Sequence, residues 1–188
     1  MKLILNGGGD GKQVENARQL LNSIIDHSKK ILYIPLAWPD NTFSGCLEFM
    51  TNELADVECC GIEMIKSPEE ILLKDLNNYA CIYIGGGNTY KLLSLLKSSG
   101  AFEKIRNYLI SDNGIVYGGS AGAIIFGKDL DSCNTDDENE VGLVLNDPPK
   151  MVHRSTKDGK ARRGTCLFPR RPGRQQHLCE RWQSKWLY

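Results

Sequence analysis

Three glycine turns, Gly7-Gly8-Gly9, Gly85-Gly86-Gly87 and Gly118-Gly119-Ser120-Ala121-Gly122, each close a short apolar run. That repeated junction restricts the fold more than any other feature of the chain. Lys2 to Leu5, Cys81 to Ile84 and Gly114 to Tyr117 have the length and composition of buried strands. A helix-like segment follows each turn. Short strands alternating with amphipathic helices mark βαβ units, and βαβ units build a mostly parallel sheet with helices on both faces. Ligands in such sheets bind outside the carboxyl ends of the strands, where all three glycine turns should lie.

The intervening segments fit this scheme. Val14, Ala17, Leu20, Leu21, Ile24 and Ile25 recur at helical spacing, which predicts a helix over 13–28. Ile31 to Leu36 reads as the second strand, Phe43 to Leu54 as a helix, Val57 to Ile65 as a strand and Ile71 to Leu76 as a short helix. Helices are expected again over Tyr90 to Leu96 and over Ala101 to Ser111. The runs 31–36, 81–84 and 115–118 are apolar on both faces and should be the most buried strands.

Gly118-Gly119-Ser120-Ala121-Gly122 fits G-x-S-x-G, with a strand before it and a small, then apolar, helical run from Ala121 to Phe126 after it. A sharp turn at that junction would expose the Ser120 hydroxyl, and the glycines would remove the Cβ atoms that clash in it. The N–H of Ala121 would face an oxyanion from the helix N-terminus. The plainer reading makes Ser120 a helix cap in a glycine-rich turn. On the pentapeptide alone both readings stand.

Nucleotide motifs fail when tested. Gly7-Gly8-Gly9-Asp10-Gly11-Lys12 lacks the first Walker A glycine, at Asn6, and the hydroxyl after the lysine, at Gln13. No G-x-G-x-x-G is completed either, since Lys12 and Tyr90 stand at the last glycine positions. Cys46, Cys59, Cys60, Cys81, Cys133, Cys166 and Cys179 are odd in number and show neither disulfide-scaffold nor C-x-x-C spacing, so a reducing cytoplasm is the expected setting. Cys166 with His177 and Cys179 lacks the paired knuckle of a metal site. Leu3-Ile4-Leu5 is too short for a secretory core, and no run is long enough to span a bilayer.

Ile84-Gly85-Gly86-Gly87-Asn88-Thr89-Tyr90-Lys91-Leu92-Leu93, followed about thirty residues later by Gly118-Gly119-Ser120-Ala121-Gly122-Ala123, resembles peptidase family S51. That family contains peptidase E and the cyanophycinases. The likeness runs from Met1 to about Asn146. It implies a flavodoxin-like fold related to class I glutamine amidotransferases, with serine in place of their elbow cysteine, and a serine peptidase acting on a short peptide without metal or cofactor. By the same resemblance Ser120 would be the nucleophile, with Ala121 and Gly86 or Gly87 donating backbone N–H groups to the oxyanion. An acid is expected some fifteen to eighteen positions after the serine, where Asp136, Asp137 and Glu138 stand, and Asp136 and Asp137 are ranked together. His153 would be the base, although the aromatic residue that usually follows this histidine is here Arg154.

Overall, 23 basic residues balance 23 acidic ones, but the balance hides a split. Residues 1–146 carry 12 basic and 20 acidic side chains, whereas 147–188 carry 11 and 3. The expected division is therefore an S51-type α/β domain over 1–146 and a basic tail over 147–188. That tail holds seven of the nine arginines and four of the seven prolines, and its stretch from Gly164 to Gln175 is not expected to order. The abrupt change of composition favours an out-of-frame or truncated end over a basic nucleic-acid arm or a diverged substrate lid. With no strand pattern around His153, weak hydrolysis is expected, and a silent product and a nucleic-acid-associated protein are the alternatives.

Overall fold

The computed structural model describes residues 1–111, 113–127 and, as backbone, 165–169. Five parallel strands form its centre: β1 (Lys2–Asn6), β2 (Lys30–Ile34), β3 (Ile62–Met64), β4 (Tyr79–Ile84) and β5 (Ile115–Gly119). A sixth, β6 (Thr165–Pro169), runs antiparallel to β1, and the order across the sheet is β3-β2-β4-β5-β1-β6. Six helices connect and flank the strands: α1 (Glu15–Ile24), α2 (Phe43–Glu53), α3 (Pro68–Leu73), α4 (Thr89–Ser99), α5 (Ala101–Ile110) and α6 (Ala121–Ile124).

Alternation along the strands divides the core in two. Leu3 and Leu5 of β1, Leu32 of β2, Ile82 of β4 and Val116 of β5 face one side, where α3, α4, α5 and α6 pack. Ile4, Ile31, Cys81 and Ile115 face the other, against Ala17 and Leu21 of α1 and Met50 of α2. Ile34, Ile82 and Val116 are fully buried, as a sheet covered on both faces requires. The flavodoxin-like expectation is met.

Boundaries differ from the sequence expectation where local backbone chemistry intervenes. α1 begins at Glu15 because a single 3-10 turn, Gly11–Gln13, precedes it, and it ends before Ile25, whose backbone is already extended. Only Ile62–Met64 of the segment 57–65 is strand. Gly61, at φ 118°, turns the chain, and the register with β2 starts only there, with Ile31 N–H donating to the Gly61 carbonyl. β6 falls inside the segment from Gly164 to Gln175 that the composition left unordered. β1 would otherwise present an open edge of unpaired N–H and C=O groups, and the uncharged run Thr165-Cys166-Leu167-Phe168 supplies its partner.

Candidate active site

β4, β5 and β1 are neighbours, so the glycine turns that follow them lie side by side at one end of the sheet. Ser120 sits in the middle turn, between the end of β5 and α6. Its backbone adopts φ 53° and ψ −114°, and it is the one non-glycine residue with positive φ among the described residues. An L-residue held there costs about 1–3 kcal/mol, and the conformation persists only where its surroundings impose the geometry. They do so through the main chain. Ser120 N–H donates to the Asn6 carbonyl at 2.8 Å, and the Ser120 carbonyl accepts from the N–H groups of Ala123 and Ile124 at 2.8 and 3.0 Å.

The Ser120 hydroxyl makes no capping bond to α6 and no other hydrogen bond among the described residues. A serine acting as a helix cap would spend its oxygen on the N–H of the second or third helical residue. Here that oxygen has no partner among the described residues, so Ser120 does not cap α6 through its side chain. The side chain is half-buried in a slot between two backbones. A Cβ placed on Gly8 would stand 3.1 Å from the Ser120 Cβ and 3.5 Å from its Oγ, and one on Gly86 would stand 3.1 and 3.6 Å away. Both walls are therefore glycine.

The turn after β4 is tied to both of its neighbours. Gly122 N–H donates to the Gly85 carbonyl at 3.1 Å, and Gly87, at φ 127°, backs onto Ala37 in the loop after β2. Asn88 donates its N–H to the Ala37 carbonyl and caps α4 through its side chain, which accepts from Lys91 N–H at 2.8 Å. Among the described residues the N–H groups of Gly86, Gly87 and Ala121 have no acceptor. Free donors beside a serine hydroxyl are the arrangement that can hold a developing oxyanion.

The turn after β1 is anchored from behind by Arg18. Its guanidinium donates to the Gly11 carbonyl at 2.8 Å, to Glu53 at 2.6 Å and to Asp56 at 2.8 and 3.1 Å, while Glu53 accepts the Gly11 N–H at 3.2 Å. The bond to Asp56, together with the charge of both carboxylates, raises the Arg18 pKa against the opposing effect of burial. This cluster joins α1, α2 and the glycine loop.

Under the elbow lies a row of tyrosines. Tyr33, Tyr83 and Tyr117 are in register across β2, β4 and β5 on the α1/α2 face. Tyr83 stacks on Tyr117 with centroids 4.4 Å apart, and Tyr33 meets Tyr83 edge-on at 5.8 Å. Burial pushes the Tyr117 hydroxyl up to about 12, against the lowering effect of its bonds to Asn6 and Tyr83. Burial likewise raises Tyr83. Both hydroxyls therefore stay protonated near neutral pH.

Of the residues singled out in the sequence, Ser120, Gly86, Gly87 and Ala121 come together. Asp136, Asp137 and His153 lie outside the described residues. His27 is exposed beyond α1, with Nε2 2.7 Å from the Asn22 carbonyl, at the end of the sheet opposite Ser120. Asn6, Arg18 and the tyrosine row were not anticipated. The row did leave a trace, the repeated pattern Ile-Leu-Tyr, Cys-Ile-Tyr and Ile-Val-Tyr at 31–33, 81–83 and 115–117.

Fold and elbow together define a doubly wound α/β protein with a serine on a strained strand-to-helix turn. The model for peptidase family S51 matches residues 3–146, and the chain belongs to that family. Peptidase E from Shewanella denitrificans is 28% identical over 128 residues, covering 67% of this chain and 52% of its own length. Peptidase E from a Nostoc species is 32% identical over 111 residues, covering 57% and 43%. The chain thus spans about half the length of the curated relatives it matches. Among solved structures, a candidate peptidase E from Listeria monocytogenes EGD-e superposes with a TM-score of 0.64 at 24% identity, over 85% of this chain and 82% of that one. A peptidase from an acI-B1 actinobacterium gives 0.58 at 19%, over 75% and 63%. At these identities the two structures speak for the fold.

Proposed function

We propose that this chain is a serine peptidase of the S51 kind that cleaves short peptides, with dipeptides carrying N-terminal aspartate as the first candidates. The observation that carries the reading is the Ser120 hydroxyl, without a hydrogen bond among the described residues, on a positive-φ turn walled by Gly8 and Gly86. In this reading Ser120 Oγ attacks the scissile carbonyl carbon. The carbonyl oxygen turns toward the N–H groups of Ala121 and of Gly86 or Gly87, each donor being worth roughly 3 kcal/mol to the transition state. The C–N bond then breaks, the amine leaves with a proton, and water releases the acyl group from the serine. His153 is the base that takes the hydroxyl proton and returns it to the amine, oriented by Asp136 or Asp137. Cys46, Cys59, Cys60 and Cys81 are free thiols, which suits a cytoplasmic setting.

Because the sequence around His153 carries no strand pattern to hold a base in place, turnover is expected to be slow. An elbow and oxyanion donors still leave catalysis above the water rate when the base is poorly placed. The test is a dipeptide panel, N-terminal aspartyl substrates included, followed by amine release with wild type, Ser120→Ala and His153→Ala. Slow release abolished in Ser120→Ala and reduced in His153→Ala is the expected result. Release that persists in Ser120→Ala, or none from any dipeptide with wild type, overturns the reading.

A further inference from the structure

Asn6 closes β1 in a position that the sheet would fill more simply with an apolar, β-branched residue, since Leu3, Ile4 and Leu5 before it are fully buried. It is itself only 3% exposed. Burying a carboxamide is unfavourable unless its polar atoms are bonded, and here each end is. Oδ1 accepts from Gly8 N–H at 3.1 Å, and Nδ2 donates to the Tyr117 hydroxyl at 3.0 Å. The main-chain carbonyl of the same residue holds the N–H of Ser120.

The bond from Oδ1 to the N–H two residues on is an Asx turn, which bends the chain immediately after the strand. Gly8 emerges from it at φ 87° with its Cα against the Ser120 side chain. The other side of the carboxamide is fixed by Tyr117, on which Tyr83 stacks, with Tyr33 in turn edge-on to Tyr83. A continuous set of contacts therefore runs from the core on the α1/α2 face to one wall of the serine slot. Confining a nucleophile in its reactive orientation lowers the entropy lost on reaching the transition state.

We infer that Asn6 is a positioning residue for Ser120: its side chain, held by the Tyr117 hydroxyl, shapes the turn after β1 so that Gly8 closes the slot around the nucleophile. This rests on the reading of Ser120 as nucleophile, and the experiment separates the two. Phenylmethylsulfonyl fluoride sulfonylates an activated serine: the Oγ–S bond forms, the S–F bond breaks, and fluoride leaves with the hydroxyl proton carried to base. The maximal inactivation rate and the half-saturating reagent concentration are measured by mass mapping of the Ser120 peptide. Wild type, Asn6→Ala, Asn6→Asp, Tyr117→Phe and the Asn6→Ala/Tyr117→Phe pair are compared.

Asn6→Ala and Tyr117→Phe are expected to lower the maximal rate about tenfold or more while leaving the half-saturating concentration within about twofold. The pair should be no slower than Asn6→Ala alone, because both changes cut the same connection. Asn6→Asp keeps an acceptor for Gly8 N–H and another for the Tyr117 hydroxyl proton, so it should recover most of the rate. A merely structural loss would not be rescued in that way. If Asn6→Ala fails to fold, Tyr117→Phe, which deletes one oxygen atom, decides alone. Wild-type labelling with unchanged rates in the folded variants overturns the positioning role and leaves the peptidase reading standing. Failure of wild-type Ser120 to react overturns both.

Discussion

Ser120 is unusual in that its conformation and its hydroxyl pull in different directions. The backbone at φ 53° and ψ −114° suits glycine, yet the position carries an oxygen that bonds to nothing among the described residues. Replacement by glycine relieves the strain, whereas replacement by alanine keeps it. Ser120→Gly should therefore be more stable than Ser120→Ala by about 1 kcal/mol in urea unfolding, with both inactive. Equal midpoints would mean that the turn is unstrained. The elbow was legible at this scale because G-x-S-x-G names both the glycines and the serine. Asn6 was not, because its value lies in bonds to Gly8 and Tyr117, and the latter is remote in sequence.

Elements were legible where hydrophobic period and turn chemistry agreed, as in α4, which starts from the Asn88 cap and ends at Gly100 in the left-handed region. β3 was overestimated because the apolar content of 57–61 is spent in a turn closed by Gly61. β6 was missed because its ordering comes from the free edge of β1, a property of another part of the chain. At the far edge of the sheet, Glu63 of β3 bonds Lys74 and Tyr79, and these bonds hold its carboxyl below the usual range. A lowered folded-state pKa stabilises the protein above the unfolded-state value and ceases to do so as pH falls through the folded one. Glu63→Gln should accordingly cost up to about 1 kcal/mol at neutral pH, discounted because the pair is partly exposed. The gap to wild type should close below about pH 4. Urea unfolding at several pH values measures both, and a gap that persists in acid would assign the effect to packing.

Across the molecule, the sheet separates two apolar layers that meet only through the strands, so β4, at its middle, supports both. Ile82 is fully buried there and belongs to the layer beneath α3, α4 and α5. Ile82→Ala should lower unfolding free energy by about 2–5 kcal/mol, a large share of a typical domain's total, measured as a shift in the urea midpoint at unchanged slope. A loss below about 1 kcal/mol would show that the layer repacks around the deletion. The parallel direction of the central strands followed from the three glycine junctions and the βαβ pattern. The mixed character of the sheet did not, because the antiparallel partner of β1 comes from a segment whose overall composition is basic and proline-rich. The chemistry of the elbow also has a bearing beyond this chain. The hydrogen bonds that Ser120 makes among the described residues come from its main chain, and Gly8 and Gly86 flank its side chain, so these contacts make no demand on the atom at the end of the side chain. Oxygen could be exchanged for sulfur at that point with the scaffold unchanged, and a lineage built on such a turn is free to change that atom long before it changes its architecture.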